Sequence, residues 1–148
     1  FDFVLEKPQV NALWPNAVEQ GCLSGKNILG ENLAYTGSIG MNSVEFFELP
    51  VVSMGIVKEE EGMEVLSYLD LNNQVYKKII LKDNRIKGVI LLKRIENSGI
   101  YLELMRHKAD ISGVKQELLS DAFNYAKIMH LLGKDETIYL SSIGGRNV

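Results

Sequence analysis

The sequence predicts an α+β fold in which an antiparallel β-meander sheet is covered by helices. The chain has 148 residues, 46% hydrophobic and 24% charged, which is enough apolar material for one core and typical of a globular protein. From residue 51 onward, short apolar or alternating runs are separated by polar turns, as in β-strands. Two later segments carry apolar residues at helical spacing. These observations together indicate one sheet with helices packed on it.

The first predicted element is a helix over residues 14–30. Pro15 suits a first helical turn, and Gly30 suits a helix end. Ala17, Gly21 and Gly25 recur every four residues, so they share one face of the helix. A glycine inside a helix costs about 1 kcal/mol relative to alanine, which indicates close packing against this face. The packed partner is either a sheet of the same domain or a cofactor or strand of a larger domain.

The next segment, residues 31–50, is rich in Gly, Ser and Asn and is predicted to be a loop that enters a strand. Four strands are then predicted: Val51–Lys58, Met63–Leu71, Val75–Lys82 and Ile86–Lys93. The pairs Asn72-Asn73 and Asp83-Asn84 tolerate the positive φ angles of tight hairpin turns. The runs at 79–81 and 89–92 are apolar on both sides, so helices are expected to cover both faces of the sheet at its centre.

Two helices are predicted to supply this cover. The first spans Gly99–Lys108, and the second is capped by Ser120 and ends before Gly133. Residues 134–148 are predicted to be a short strand or an extended tail. His107 and His130 lack neighbours at ligand spacing, so no metal site is predicted.

Composition excludes several classes of function. Sixteen Lys+Arg and nineteen Asp+Glu residues give a net charge of -3 and are mixed along the chain, which argues against nucleic acid as a partner. No apolar run approaches the roughly 20 residues that cross a bilayer, so no membrane contact is expected. The single Cys22 excludes an internal disulfide framework and is expected to be a small buried hydrophobe. A reducing, cytoplasmic location is the simplest expectation.

Six segments together resemble a known family. They read WPNAVEQG at residues 14–21, YTGS at 35–38, MNS at 41–43, FFELPVVSMG at 46–55, YKKIILKDNRIKGVILL at 76–92 and GIYLELMRHKADIS at 99–112. They resemble the end of the flavin domain and the carboxy-terminal domain of FAD-dependent pyridine nucleotide-disulfide oxidoreductases. The most similar subgroup is the NADH oxidase, nitrite reductase and rubredoxin reductase type.

The resemblance implies a division of the chain into three parts. Residues 1–40 would be the carboxy-terminal remnant of an FAD-binding domain, residues 41–133 a small interface domain, and residues 134–148 a tail that the resemblance does not explain. The full-length parent would use FAD and NAD(P)H. The chain contains no G-x-G-x-x-G fingerprint, so the fragment is expected to bind neither cofactor and to be catalytically silent. No catalytic residue is therefore assigned.

The resemblance assigns a flavin contact to Leu13 and Trp14. In the family, the amino end of the corresponding helix directs free N–H groups at the flavin pyrimidine ring, where reduced flavin gathers negative charge. Pro15 has no N–H, so its neighbours would be the donors. Trp14 could equally be an anchor in the core.

Two functions follow from these observations. In the first, the chain is the interface and dimerisation domain of a flavin-dependent NAD(P)H oxidoreductase, with its own upstream FAD and NAD domains and a second copy as partners. In the second, it is a freestanding, non-catalytic α+β module that binds another protein. An exposed face at Ala17, Gly21 and Gly25 would favour the first function, and an internally buried face the second.

Overall fold

The computed structural model describes residues 1–132 and confirms the α+β class. The elements are α1 (Trp14–Ile28), β1 (Met41–Phe46), β2 (Leu49–Gly55), β3 (Glu64–Asp70), β4 (Val75–Lys82), β5 (Arg85–Leu92), α2 (Ser98–Arg106) and α3 (Tyr125–Ile128). Short 3-10 helices lie at Lys115–Glu117 and Met129–Leu132. The predicted tail at residues 134–148 and the predicted helix end at Gly133 lie outside the described residues. None of the helices within residues 1–132 has the length and apolar character needed to cross a bilayer.

The five strands form one antiparallel sheet with the order β1-β2-β5-β4-β3. Strands β3, β4 and β5 form the predicted meander. Strand β2 pairs with β5 rather than with β3, because Val52 and Met54 then share one face with Leu91 and Val89. Strand β1 was expected to be part of a loop, but it pairs with β2.

The core lies on one face of the sheet, which we call the inner face. Helix α2 and the segment after it cover this face. The most buried core members are Val52, Met54, Ile79, Leu81, Val89, Leu91, Tyr101, Leu104, Ile111, Leu118, Phe123 and Ile128. The Tyr101 hydroxyl donates to the Leu118 carbonyl oxygen at 2.5 Å, and burial raises the pKa of Tyr101 to about 12. The expectation that helices cover both faces was wrong, since the described helices that join the core all lie on the inner face.

The opposite, outer face is covered at one end by the connection between β2 and β3. Lys78 on this face donates to the Val57 carbonyl oxygen at 3.4 Å and to the Glu59 carboxylate at 2.6 Å. Ile80 is fully buried at this end, which explains why the run at residues 79–81 is apolar on both sides. Cover by a loop therefore takes the place of the predicted second layer of helices.

Turn geometry agrees with the sequence at one hairpin and differs at another. Asp83 and Asn84 have φ angles of 50° and 54°, as predicted for the β4–β5 turn. In the β3–β4 turn the positive φ of 55° falls on Gln74 rather than on Asn72 or Asn73. The Asp70 carboxylate accepts the backbone N–H of Asn73 at 3.0 Å. This bond stabilises a turn whose positive φ lies at Gln74.

The second predicted covering helix is much shorter than expected. Ser120 does not cap it, because its hydroxyl accepts the N–H of Ala122 within a turn, at 3.1 Å. The Phe123 carbonyl oxygen accepts a bond from the Asn97 side chain at 2.8 Å, which holds residues 120–124 in an irregular path. Helix α3 is consequently a single turn, Tyr125–Ile128.

Candidate functional site

A buried polar cluster lies beside the first turn of α1. The Asp2 carboxylate, 3% exposed, accepts two backbone N–H bonds in its own turn at 2.8 and 2.9 Å and the Asn11 side chain at 2.8 Å. The Ser38 hydroxyl lies 3.4 Å from the Asn11 side-chain nitrogen and 3.3 Å from that of Asn16. Sequence reasoning did not identify these four residues, since they are distant along the chain and form no local motif. The cluster joins the amino-terminal segment, α1 and the loop before β1.

The amino end of α1 presents two backbone N–H groups without a partner. Leu13 is the N-cap, with φ -117° and ψ 143°, and its carbonyl oxygen accepts the Ala17 N–H at 3.0 Å. Pro15 has no N–H to donate. Among residues 1–132, no acceptor lies within hydrogen-bond distance of the Trp14 or Asn16 backbone N–H. The two N–H groups that flank Pro15 at the amino end of α1 are therefore unpaired within residues 1–132.

The electrostatics at this helix end favour a negative group. The first turn of α1 contains no acidic residue, so no carboxylate of that turn neutralises the positive end of the helix dipole. An open groove of about 590 Å³ runs beside it, lined by the uncharged residues Gln9, Val10, Asn11, Ala12, Leu13, Trp14, Ala17 and Gln20. Leu13 and Trp14 lie together at its wall. The Trp14 side chain is 82% exposed. The alternative prediction, that Trp14 anchors the core, is therefore wrong for residues 1–132.

Helix α1 faces its own chain with its polar side. Asn16 is buried, Gln20 donates to the Tyr35 hydroxyl at 3.1 Å, and Asn27 exchanges two bonds with the Leu33 backbone at 2.8 and 2.9 Å. These three residues lie within a narrow arc, since successive residues turn by 100° around a helix.

The other side of α1 is apolar and points away from the rest of the chain. We call this side the outward face of α1; it comprises Trp14, Ala17, Val18, Gly21, Gly25 and Ile28. The Ile28 side chain is 85% exposed. A Cβ atom added to Gly21 or Gly25 would meet no atom within 4 Å. Cys22 lies beside this face and is exposed, so the expectation that it is buried was wrong.

A second polar cluster lies near the end of β5, where Lys77, Arg94, Glu96 and Asp121 line a cavity of about 330 Å³. The Lys77 ammonium is nearly buried, and it donates to the Asp121 carboxylate at 2.8 Å, while Arg94 pairs with the same carboxylate. Burial and the Arg94 charge lower the pKa of Lys77. Two positive and two negative groups balance one another here, so the cluster fastens the segment after α2 to the sheet. No group of three or more His, Cys, Asp or Glu residues within residues 1–132 is placed to bind a metal ion.

Comparison with known proteins shows which family the sheet domain resembles. Residues 41–109 match the rubredoxin NAD+ reductase C-terminal domain family. This confirms the predicted resemblance to the carboxy-terminal part of pyridine nucleotide-disulfide oxidoreductases. The segment 41–109, which begins with β1 and ends just after α2, is thus similar to this family of reductase carboxy-terminal domains.

The chain is similar to curated proteins and to solved structures. It is 24% identical over 115 residues to the NADH-dependent phenylglyoxylate dehydrogenase subunit epsilon of Aromatoleum evansii, a match that covers 76% of this chain and 27% of the relative. It is 28% identical over 95 residues to nitrite reductase [NAD(P)H] of Bacillus subtilis (strain 168), with 64% of this chain and 12% of the relative covered.

The solved structure is a NAD-dependent persulfide reductase from A. fulgidus. It has a TM-score of 0.61 and 15% identity, and the match covers 97% of this chain and 30% of that one, which supports the fold. The chain thus spans roughly an eighth to a quarter of the length of its two curated relatives.

Proposed function

We propose that this chain is the carboxy-terminal interface and dimerisation domain of a flavin-dependent NAD(P)H oxidoreductase, with residues 1–40 as the end of its FAD-binding domain. The observation that carries the proposal is the exposed outward face of α1. Its side chains are apolar or absent, and no described part of the chain covers them. Exposing an apolar face to water is unfavourable in free energy, and burial against a neighbouring domain removes this penalty.

The upstream FAD and NAD domains of a longer polypeptide are the proposed neighbours of α1. Gly21 and Gly25 let another backbone approach the helix closely, and the neighbouring Trp14 and Ile28 provide apolar area at its two ends. The match of the chain to only part of each longer reductase or dehydrogenase supports this arrangement. A family match that starts at residue 41 supports placing the start of the interface domain there.

The proposed role of Leu13 and Trp14 is to hold the flavin at the amino end of α1. FAD, when bound, would accept a hydride from NAD(P)H and pass electrons to an acceptor. The free N–H groups of Trp14 and Asn16 would donate to the pyrimidine edge, and the helix dipole would favour negative charge there. The uncharged groove lining would leave this effect unopposed. The proposed location is the cytoplasm, because a single exposed Cys22 suits a reducing compartment.

The decisive experiment removes one donor without changing the helix. In the full-length protein, Trp14→Pro deletes the Trp14 N–H, and proline is favoured at this first helical position after an extended Leu13. The control Trp14→Ala keeps the N–H and removes the indole. Loss of one bond to a charged group should weaken binding of the reduced flavin by about tenfold or more, so the flavin potential should fall in Trp14→Pro relative to Trp14→Ala.

The proposal fails if the full-length protein binds no flavin, or if the two variants have the same flavin potential. The reading frame upstream of Phe1 provides an independent check, since it should encode two Gly-rich dinucleotide fingerprints. A start codon directly upstream would favour the alternative, a freestanding α+β module whose outward face of α1 binds another protein.

A further inference from the structure

We infer that a cavity beside the β4–β5 turn binds a small organic phosphate. The cavity has a volume of about 370 Å³, within the range of sites for small molecules. Its positively charged lining residues are Lys7, Lys82, Arg85 and Lys87. It shares no lining residue with the groove beside the amino end of α1, so the inference does not depend on the function proposed above.

The register of the sheet places two of the positive charges side by side. Lys82 and Arg85 are direct partners at the end of the β4–β5 hairpin, so their side chains lie on the same side of the sheet. Like charges at directly opposite positions repel and destabilise a strand pair. Both residues are exposed, and neither forms an ion pair with any residue among 1–132. An anion bound between them would remove this repulsion.

A bulge in β5 determines the position of the third charge. Ile80 pairs with Gly88 and Leu81 pairs with Ile86, so Lys87 is an extra residue without a partner in the register. A bulge of this kind changes the direction of a side chain and is often found beside a functional site. The Lys87 ammonium donates to a main-chain carbonyl oxygen of the amino-terminal segment at 3.2 Å. Lys87 therefore stays at the cavity without a carboxylate partner in the part of the chain that the structure describes.

The bulge is held in place by a close approach of the chain after β2. The Ile56 N–H donates to the Lys87 carbonyl oxygen at 3.0 Å. Gly55 has a φ of +63°, and a Cβ atom there would lie 2.3 Å from the same carbonyl oxygen. Only glycine fits this approach without a shift of the backbone. The cavity wall is therefore rigid, which reduces the entropy lost when a ligand binds.

The amino-terminal turn adds the fourth charge, Lys7, and a strained ion pair beside it. Glu6 has a φ of 55° and Lys108 a φ of 47°, a region that residues with long side chains rarely adopt. The Lys108 ammonium donates to the Glu6 carboxylate at 2.6 Å. This bond, the Lys108 charge and the charges of Lys87 and Arg85 lower the pKa of Glu6. The positive charges of the cavity thus act together at this turn.

The charge balance of the cavity favours a doubly charged anion. Its lining includes the carboxylates of Glu6, Glu60 and Asp83, of which Glu6 is neutralised by Lys108. The nearby Asp110 carboxylate lies outside the lining and accepts an N–H within its own turn at 2.8 Å. The lining therefore has an excess of two positive charges, although the whole chain has a net charge of -3. A phosphate monoester carries about two negative charges near neutral pH, whereas a carboxylate carries one.

An apolar wall beside the charges favours a phosphate that carries an organic group. Val4, Leu5, Ile56 and Met63 line the same cavity. A single phosphate ion is much smaller than the cavity and would leave this wall in contact with water. A ring or short chain attached to the phosphate would cover the wall and remove its apolar surface from water.

Titration of the 148-residue chain with phenyl phosphate, followed by two-dimensional NMR of the backbone amides, tests this inference. At about pH 8 the probe is a dianion. We expect shifts at the amides of residues 4–7 and 82–88 and a Kd of about 1 mM or tighter. Inorganic phosphate, which lacks the ring, should bind about fivefold more weakly at the same amides. Phenol, which lacks the phosphate, should leave them unchanged.

Charge variants separate binding from folding. Arg85→Gln should weaken phenyl phosphate binding by about tenfold, and its urea midpoint should be equal to or above that of the wild type because the repulsion from Lys82 is removed. The matched control is Arg106→Gln, at another exposed arginine without an ion pair among residues 1–132, and it should stay within about twofold of the wild-type Kd. Asp83→Asn removes a negative charge at a φ that asparagine tolerates, so it should tighten binding by about threefold.

The other outcomes contradict specific parts of the inference. No amide shift with about 10 mM phenyl phosphate overturns the site. Equal affinity for inorganic phosphate overturns the organic ligand and leaves a site for an inorganic anion only. An equal loss of binding in Arg85→Gln and Arg106→Gln indicates general attraction to positive charge and overturns the site. If Arg85→Gln lowers the urea midpoint, Asp83→Asn decides, and unchanged or weaker binding in that variant overturns the site.

Discussion

Single residues show how the same amino acid serves different purposes along this chain. Gly55 has a φ of +63°, and a Cβ on Gly88 would lie 1.8 Å from the Ile56 carbonyl oxygen, so both glycines are required by the chain itself. Gly21 and Gly25 have open space around them. The first pair sets how closely the end of β2 lies against β5. No contact within residues 1–132 requires a glycine at either position of the second pair.

We predict that Gly88→Ala destabilises the domain by about 2 kcal/mol or more, because the backbone at Ile56 must move. The matched control is Gly99→Ala in α2, where an added Cβ meets nothing within 4 Å. That change should stabilise the domain by about 0.5 to 1 kcal/mol through a less flexible unfolded chain. Urea unfolding monitored by circular dichroism measures both, and equal midpoints for the two variants would contradict the prediction.

At the scale of elements, the two tight hairpins have the same shape and different sequences. Asp83 and Asn84 tolerate positive φ, so the β4–β5 turn was predictable from the sequence. Phe47 and Glu48 adopt the same region without that tolerance, so the β1–β2 hairpin was missed. Pairing of β1 with β2, rather than turn chemistry, holds this second hairpin closed.

The double variant Phe47→Asn, Glu48→Gly should therefore stabilise the β1–β2 hairpin by about 1 kcal/mol. Asn84→Ala should destabilise the β4–β5 hairpin by a similar amount, since alanine tolerates positive φ less well. Both effects are measured by urea unfolding at low protein concentration, where association does not contribute. A fall in stability of the double variant would indicate that Phe47 makes a contact within its own chain.

At the scale of the whole molecule, the described chain consists of a packed sheet domain and a poorly supported helix. The core contains residues of β2, β4, β5 and α2 but none of α1. Asn16 is the sole buried residue of α1, held by the polar cluster at Ser38. A 15-residue helix without tertiary support is marginal in water.

Hydrogen exchange should reveal this division directly. We expect the amides of β4 and β5 to exchange only through global unfolding, and those of α1 after its first turn to exchange with little protection. In the full-length reductase proposed above, α1 should gain protection of about a hundredfold or more through burial of its outward face. Strong protection of α1 in the 148-residue chain alone would show that the helix needs no neighbour.

Local sequence patterns were sufficient to predict the α+β class, helix α1, the meander of β3 to β5 and the family resemblance. These depend on local periodicity, on Pro15 and Gly30, and on short motifs, all of which act between near neighbours. It also placed Leu13 and Trp14 at the amino end of α1, because that position follows from where the helix begins.

Three features are visible only in the folded chain: the pairing of β2 with β5, the cover of the sheet on one face, and the direction in which the outward face of α1 points. These depend on contacts between residues far apart in the chain. The Lys77–Asp121 pair and the Asn97–Phe123 bond shorten α3, although its sequence suits a longer helix. The cluster of Asp2, Asn11, Asn16 and Ser38 also depends on contacts between residues far apart in the chain. Such contacts leave no periodic pattern, since folding alone brings their members together.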